Sequence, residues 1–149
     1  LKLYTHSVDN ARLQAEIVRR DANPMIWRGY ARQLTKVLIA LLDNVESHAY
    51  NRDEIPKARI VIGRSPSGVG EEFTIAIEDS GVGITPENKP YVFVPFFTTA
   101  RGRGHIGLGL AVAKNITESA LCGSVKVDSV LGNGTIFTVS FRSMLDKTT

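Results

Sequence analysis

A carboxylate at the end of an apolar strand is the first feature of this chain that points to ligand chemistry. Asp79 closes the run 73–79 (FTIAIED), where alternation places it on the same face as the large apolar residues. A carboxylate on a core face is costly unless a donor hydrogen-bonds to it. Gly81 and Gly83 follow at once and allow a ligand close to the backbone. Asp79 is therefore a candidate acceptor for a ligand N–H group, with an ordinary Asp-Ser-Gly turn as the alternative.

Asn44 and the glycine-rich segment 102–110 add groups suited to a cation and to phosphates. Asn44 lies at the edge of the apolar stripe of a predicted helix, and His48 follows one turn later. An amide oxygen is a hard ligand of the kind that Mg²⁺ accepts. Glycines ahead of a helix expose N–H groups to an anion, and Arg101 and Arg103 add positive charge. The alternatives are a boundary asparagine, a half-buried surface histidine and a flexible basic loop.

Thr135 begins a strand whose every second residue is apolar, so its hydroxyl also faces the core side and could join Asp79 around one ligand. A strand threonine bonded to neighbouring backbone is the alternative. The sequence lacks the residues that several other common binding and catalytic sites require. The segment 102–110 has neither a Walker lysine nor dinucleotide-fingerprint spacing. There is no Gly-x-Ser-x-Gly elbow, and the three histidines have no metal-ligand spacing with the cysteine.

The elements that must position these groups follow from hydrophobic periodicity. Helical spacing predicts a helix over 31–49 and a second one from near Gly107 to a stop at Gly123. The predicted apolar side of the second helix comprises Leu108, Ala111, Val112, Ile116 and Ala120. Alternation and turn residues predict strands over 15–19, 25–28, 58–62, 73–78, 124–130 and 135–141, and loops over 63–70 and 80–105. Helices separated by hairpin-connected strands indicate an α+β fold, with one mostly antiparallel sheet covered on one face by helices.

Composition narrows the classes of function. The chain has 149 residues, enough for one domain, and an ordinary globular balance of 43% hydrophobic and 22% charged residues. Its net charge of +3 comes without a dense Lys/Arg cluster, which argues against nucleic-acid binding. The one cysteine, Cys122, is expected in or near the core and fits a reducing, cytoplasmic setting. No run is long enough to span a membrane, so no direct membrane contact is expected, and the initial Leu1 suggests a piece of a longer protein.

Four stretches occur in a fixed order: 41–45 (LLDNV), 79–83 (DSGVG), 95–99 (PFFTT) and 107–110 (GLGL). Together they resemble the catalytic ATP-binding domain of sensor histidine kinases, in the superfamily shared with gyrase, the large heat-shock chaperone and mismatch-repair ATPases. The resemblance implies a two-layer α/β sandwich, the Bergerat-type ATP-binding fold, with ATP between the helices and a flexible lid. We expect an upstream connector over 1–14, the ATP-binding domain over 15–145 and a tail over 146–149.

The resemblance also assigns roles to single residues. Asn44 matches the asparagine that holds Mg²⁺, and Asp79 matches the carboxylate that receives the adenine amino group. The predicted catalytic residues are Asn44, Arg101 and Arg103, with the arginines standing in for a lysine that the family often has. The predicted ATP-binding residues are Asn44, His48, Asp79, Gly81, Gly83, Phe96, Thr99, Gly107, Leu108, Gly109, Leu110 and Thr135.

The chain departs from the family's pattern mainly on the phosphate side. Ala40 stands where ATP-hydrolysing relatives carry a general-base glutamate, and a methyl group cannot activate water. This departure favours transfer of the phosphoryl group to an acceptor other than water. The remaining departures are Tyr30, Ser47, Val94, Ala100 and His105, the last of which occupies a glycine position.

The function that the resemblance implies is transfer of the ATP γ-phosphoryl group to a histidine on a separate dimerisation domain, in two-component signal transduction. Its implied partners are that phosphoacceptor domain, a downstream response regulator and a second copy of a homodimeric parent, an inner-membrane sensor. None of the three histidines here lies in a phosphoacceptor context. The alternatives are a nucleotide-binding or protein-docking module with degenerate kinase activity, and an anti-sigma-type serine kinase, which the complete F box over 93–97 disfavours.

Overall fold

The computed structural model describes residues 13–51, 53–67, 70–99 and 105–144, and in these ranges two helices pack on one face of a five-stranded sheet. The strands are β1 (Gln14–Arg19), β2 (Lys57–Ser67), β3 (Gly70–Asp79), β4 (Ser124–Ser129) and β5 (Thr135–Arg142). The helices are α1 (Ala31–Asn44), which continues as a π-helical turn over Val45–Ala49, and α2 (Gly109–Ser119). A short 3₁₀ turn covers Lys89–Tyr91.

The sheet has the order β1-β2-β3-β5-β4, in which β1 runs parallel to β2 and all other pairs are antiparallel. Side chains along β3 and β5 alternate between buried and more exposed positions, as expected when one face carries the helices and the other faces water. The register sets Asp79, at the end of β3, opposite Thr135, at the start of β5. The predicted α+β sandwich with a mixed sheet is confirmed.

Helix α1 forms because an apolar stripe faces the sheet, and its residues Val37, Leu41 and Leu42 are buried. The carbonyl of Tyr30 accepts the N–H groups of Gln33 and Leu34 at 2.9 and 3.1 Å, which closes the first turn without a side-chain cap. The predicted extent of 31–49 is confirmed, but its last turn is π-helical rather than α-helical. Such turns are rare and frequently occur at functional sites.

The predicted apolar side of α2 is partly wrong. Leu108 lies ahead of the helix and Val112 is 49% exposed, whereas the fully buried positions are Ala113 and Thr117. The Thr117 hydroxyl donates to the Ala113 carbonyl at 2.8 Å, and this bond satisfies it inside the core. A hydrophobicity pattern counts threonine as polar, so the pattern predicted a core face that does not include Thr117.

The end of α2 differs from expectation at one residue. The N–H of Gly123 donates to the Thr117 carbonyl at 2.9 Å, so this glycine does help to close the helix. The left-handed position, however, is taken by Cys122, with φ of 49°, and its side chain is exposed. The expectation that Cys122 is a core or near-core residue is therefore wrong.

Two predictions about strands are also wrong. Residues 25–28 form no strand: the N–H of Met144 donates to the Arg28 carbonyl at 2.8 Å, while Trp27 is bonded through its side chain, whose Nε1–H donates to the Arg142 carbonyl at 2.9 Å. Residues 63–67 belong to β2 rather than to a loop, and Arg64 fixes this extension through Asp21 at 2.6 Å and Glu71 at 3.3 Å. Most of the predicted connector, the whole predicted tail, Ala100, Arg101 and Arg103 lie outside the described residues. Neither helix of the described ranges is long and apolar enough to cross a lipid bilayer.

Candidate functional site

A cavity of about 560 Å³ opens between α1 and the segment that leads into α2. One wall comes from the exposed edge of α1 and its π-helical turn, where Asn44 and His48 lie one turn apart. The other wall comes from 105–110, just ahead of α2 and in its first turn. The cavity thus brings together half of the predicted ATP-binding residues: Asn44, His48, Gly107, Leu108, Gly109 and Leu110.

Asp79 forms the centre of a second group at the end of β3. Its side chain is only 8% exposed, as the strand alternation predicted. Oδ1 accepts the N–H of Gly81 at 2.9 Å, while Oδ2 is buried and has no hydrogen-bond partner in the described part of the chain. Burial raises the pKa of Asp79, and the backbone N–H groups of Gly81 and Thr135 offset that rise only in part. A buried oxygen in this condition needs a donor from a ligand or a water.

The Asp79 group adjoins the cavity through the end of α1. The N–H of Val82 donates to the Ala49 carbonyl at 2.7 Å, and Ala49 directly follows His48 in the chain. A Cβ at Gly81 would lie 2.0 Å from that same carbonyl oxygen, so only glycine allows this approach. Asp79 itself borders a separate cavity of about 510 Å³ at the start of β1 and β2 rather than the larger one. The two groups are therefore neighbours that share the end of α1.

Thr135 is 5% exposed and stands opposite Asp79 in the sheet. Its Oγ1 lies 2.9 Å from Oγ of Ser129, which in turn donates to the Gly134 carbonyl at 2.8 Å and accepts the N–H of Ile84 at 2.8 Å. These bonds fasten the loop after β3 to the β4–β5 hairpin, and Gly83 of that loop approaches the carbonyl of Val130 in the same way. The hydroxyl of Thr135 is thus bonded to a side chain and not to neighbouring backbone.

A backbone crossing anchors the segment 105–110 to the F box. The N–H of Phe96, which has a left-handed φ of 67°, donates to the Gly107 carbonyl at 2.8 Å. Gly107 has φ of 81°, and a Cβ there would lie 2.6 Å from the Phe97 carbonyl oxygen. Phe96 is 60% exposed and Thr99 is exposed, and it is their neighbours Phe97 and Thr98 that line the cavity. Of the predicted catalytic residues, only Asn44 lies within the described ranges.

Two histidines meet at the mouth of the cavity. The ring centroids of His48 and His105 are 5.0 Å apart with 54° between the ring planes. His48 Nε2 also lies 3.3 Å from Thr98 Oγ1, within hydrogen-bond reach. No local sequence pattern predicts this contact, because 57 positions separate the two histidines. The fold joins them by placing the π-helical turn of α1 against the segment ahead of α2.

Sequence patterns also missed several residues of the cavity wall. Lys36 lies two turns before Asn44, so a helical wheel centred on Asn44 would have found it, whereas Ala40, one turn before Asn44, was already noted as a departure from the family's pattern. Thr98 and Ile106 come from irregular segments and carry no periodic signal. The wall residues outside the predicted ATP-binding set are Lys36, Ile39, Ala40, Asp43, Ser47, Val92, Phe97, Thr98, His105 and Ile106.

These groups suit a ligand with a donor-bearing planar end and an anionic end. Asp79 Oδ2 supplies a buried acceptor for the first. For the second, the N-terminus of α2 opens onto the cavity, and a Cβ at Gly109 would meet nothing within 4 Å, which leaves space for close approach. The described ranges contain no cluster of three or more His, Cys, Asp or Glu side chains that could hold a metal. The amide oxygen of Asn44 is of the kind that could hold a cation whose other ligands are water and phosphates.

Comparisons with known proteins show what this chain is similar to. A model of the family described as histidine kinase-, DNA gyrase B-, and HSP90-like ATPase matches residues 29–144. The chain is 36% identical over 144 residues to the sensor histidine kinase ZraS of Salmonella typhi, covering 92% of this chain and 29% of that protein. It is 33% identical over 145 residues to the sensor-like histidine kinase SenX3 of Mycobacterium tuberculosis, covering 94% of this chain and 33% of that protein. The chain thus spans about a third of the length of these relatives.

Solved structures show the same fold. The catalytic domain of the histidine kinase ThkA superposes with a TM-score of 0.69 at 21% identity, covering 89% of this chain and 81% of that one. The mycobacterial sensor histidine kinase MprB gives a TM-score of 0.64 at 24% identity, covering 89% of this chain and 85% of that one.

Proposed function

The chain belongs to the family of histidine kinase-, DNA gyrase B- and HSP90-like ATPases, and from this premise we propose that it binds Mg-ATP as the catalytic domain of a sensor histidine kinase. In this role it presents the γ-phosphoryl group to a histidine on a separate dimerisation domain. The family is one of ATP-binding domains. The cation, the acceptor and the residue roles below are parts of the proposal.

The buried Oδ2 of Asp79 is the observation that carries the proposal. It is an acceptor without a donor in the described structure, at the end of a strand, beside a loop that glycine brings against α1. The 6-amino group of adenine is a donor that fits this need, and pairing it with a buried carboxylate makes a charge-assisted hydrogen bond. Thr135, opposite Asp79 in the sheet, is proposed to lie near the adenine as well.

The phosphates are assigned to the larger cavity. Gly109 at the start of α2 leaves room for phosphate oxygens near backbone N–H groups and the positive end of the helix, and Gly107, two residues earlier, lines the same cavity. Asn44 is the proposed protein ligand of Mg²⁺, which neutralises phosphate charge when bound. Arg101 and Arg103 are proposed to add positive charge. Together these groups position the γ-phosphoryl group, which is most of what phosphoryl transfer requires.

The acceptor of the phosphoryl group is proposed to be a histidine outside this chain. Ala40 lies in the cavity wall one turn before Asn44, and its methyl group cannot deprotonate water. The relatives named above are sensor histidine kinases, which supports a histidine acceptor, a homodimeric parent and a response regulator downstream. The supply of ATP places the domain on the cytoplasmic side in this proposal. The chain incubated alone with Mg-ATP is then expected to form no phosphohistidine, and acid-labile label on His6, His48 or His105 would contradict this.

Calorimetric titration of Mg-ATP into the chain and into Asp79→Asn tests the nucleotide site. Oδ1 of the asparagine is expected to keep the Gly81 N–H bond, so its NH₂ group faces the adenine amino group, donor against donor. We expect the affinity to fall at least about 100-fold, or about 2.7 kcal/mol. Glu78→Gln is the matched control, since Glu78 loses the same charge one residue earlier but points to the other face of β3 and pairs with Arg59.

GTP serves as the ligand control, because guanine carries a carbonyl where adenine carries its amino group. Binding of ATP and GTP with equal affinity would contradict recognition by Asp79. If neither nucleotide binds to the unsubstituted chain, the protein is a docking module that retains only the fold. One observation favours that second function: Ala40 and Ser47 line the cavity where the family often has polar or charged side chains.

A further inference from the structure

We propose that His105 is a positioning residue that holds the imidazole of His48 in place for the phosphate end of the ligand. The inference rests on the proposed function, because it assigns a task within the same nucleotide site. It concerns a residue for which the resemblance predicts glycine, so the task belongs to this chain's own sequence. His105 touches no phosphate in this proposal and acts only through His48.

The first step is the anchoring of Thr98 and His105, two residues that contact His48. The hydrogen bond from the Phe96 N–H to the Gly107 carbonyl, at 2.8 Å, ties two irregular segments together. Thr98 lies two residues after Phe96, and His105 lies two residues before Gly107. The crossing therefore fixes the backbone near both Thr98 and His105, and both of these residues contact the side chain of His48.

The second step is the confinement of His48. Its ring packs against the ring of His105 at 5.0 Å between centroids, and its Nε2 lies 3.3 Å from Thr98 Oγ1. It is half-buried on the π-helical turn of α1, and all three side chains line the cavity. A ring that has both a packing contact and a hydrogen-bond partner is restricted to one rotamer. The His48 ring is thus fixed before any ligand arrives.

The third step links this confinement to binding. Immobilising a free side chain on binding weakens affinity by about 2- to 12-fold, and a side chain that is already ordered avoids this loss. The cavity that His48 lines also holds Asn44 and the glycines at the start of α2, where the phosphates are assigned. Asp79, the proposed adenine acceptor, does not line that cavity. The contribution of His105 should therefore appear with ATP and not with adenosine.

A set of four variants tests this inference: His105→Ala, His105→Phe, His48→Ala and the double alanine variant. His105 has an ordinary backbone conformation, without the left-handed φ that an alanine would resist, so the alanine is tolerated. Each protein is titrated with Mg-ATP and with adenosine. We expect His105→Ala to weaken ATP binding about 3- to 10-fold and to change adenosine binding less than about 2-fold. Phenylalanine keeps the ring contact, so His105→Phe should bind ATP within about 2-fold of the unsubstituted chain.

The double variant separates positioning from a direct contact. If His105 acts through His48, the double alanine variant binds ATP as weakly as His48→Ala alone. Additive losses, an equal loss for adenosine, or failure of phenylalanine to restore binding would each overturn the proposal. Failure of the nucleotide site itself is recognised separately, because the unsubstituted chain would then bind neither ligand, whereas a wrong assignment of His105 leaves binding sensitive to Asp79→Asn.

Discussion

The Asp79 group and the cavity beside it are built by different means. Asp79 and Thr135 are less than one-tenth exposed. Hydrogen bonds hold the backbone around them, among them the bond from the Val82 N–H to the Ala49 carbonyl at 2.7 Å. The cavity wall is instead an open surface of helix edge and irregular backbone, where Gly109 has free space around it. The fold itself therefore builds the first region except for the donor that Asp79 Oδ2 lacks, whereas the second region needs phosphates and a cation to complete it.

This difference predicts that substitutions in the two regions separate stability from binding. Changes near Asp79 should alter both the folded structure and the recognition of adenine. Changes in the cavity wall should alter binding to phosphates while the nucleotide-free protein keeps its stability.

Among substitutions in the cavity wall, the largest loss of ATP affinity is expected at Asn44. Asn44→Ala removes the proposed Mg²⁺ ligand but leaves the Asp79 group untouched, so Mg-ATP affinity should fall about 10- to 100-fold. Binding of ATP in the presence of a chelator should be the same for both proteins, and calorimetry with and without Mg²⁺ measures the two cases. Equal losses in both conditions would mean that Asn44 contacts the nucleotide and not the cation.

Two glycine substitutions, one in each region, are expected to separate an effect on stability from an effect on binding. In Gly81→Ala the new methyl group meets the Ala49 carbonyl oxygen at 2.0 Å, so the free energy of unfolding should fall by about 1–3 kcal/mol. In Gly109→Ala the methyl group meets nothing within 4 Å, and stability should be unchanged or slightly higher. ATP affinity should still fall about tenfold in Gly109→Ala, because the methyl group occupies the phosphate approach. Denaturant unfolding measures the free energy of unfolding, and calorimetry measures the ATP affinity. A Gly81→Ala variant with unchanged stability and unchanged ATP affinity would contradict the role given to Gly81 beside Asp79.

The smallest expected effect is a change in the stability of the folded protein with pH, caused by Asp79. Burial raises the pKa of Asp79 above its usual 3.8, so the folded state keeps a proton that the unfolded state has already released. Asp79 therefore lowers stability progressively as pH rises from its usual pKa through the raised one. Asp79→Asn does not titrate, so without nucleotide its melting temperature should equal that of the unsubstituted chain at low pH. At neutral pH the melting temperature of Asp79→Asn should be higher than that of the unsubstituted chain, by no more than about 4 °C. A difference that is constant from acid to neutral pH would contradict the burial of a charge.

The sequence predicted those parts of the fold and site that depend on short-range periodicity. Alternation along β3 and β5 correctly buried Asp79 and Thr135 on one face, because strand side chains alternate whatever the surroundings. The core face of α2 was misjudged because Thr117 satisfies its hydroxyl within its own helix. The contact between His48 and His105 depends on how two distant segments cross, and no local pattern carries that information.

The exposed position of Cys122 gives the molecule a single chemical handle. Its thiol is the only one in the sequence and borders a cavity of about 300 Å³ with Trp27 and Met144. The adjacent Gly123 touches the Ser140 carbonyl, five residues along β5 from Thr135, or roughly 17 Å. A maleimide dye or spin label can therefore be attached at one known point, outside the larger cavity, without changing any residue. Energy transfer from that label to a fluorescent nucleotide would then measure where in the domain the ligand sits.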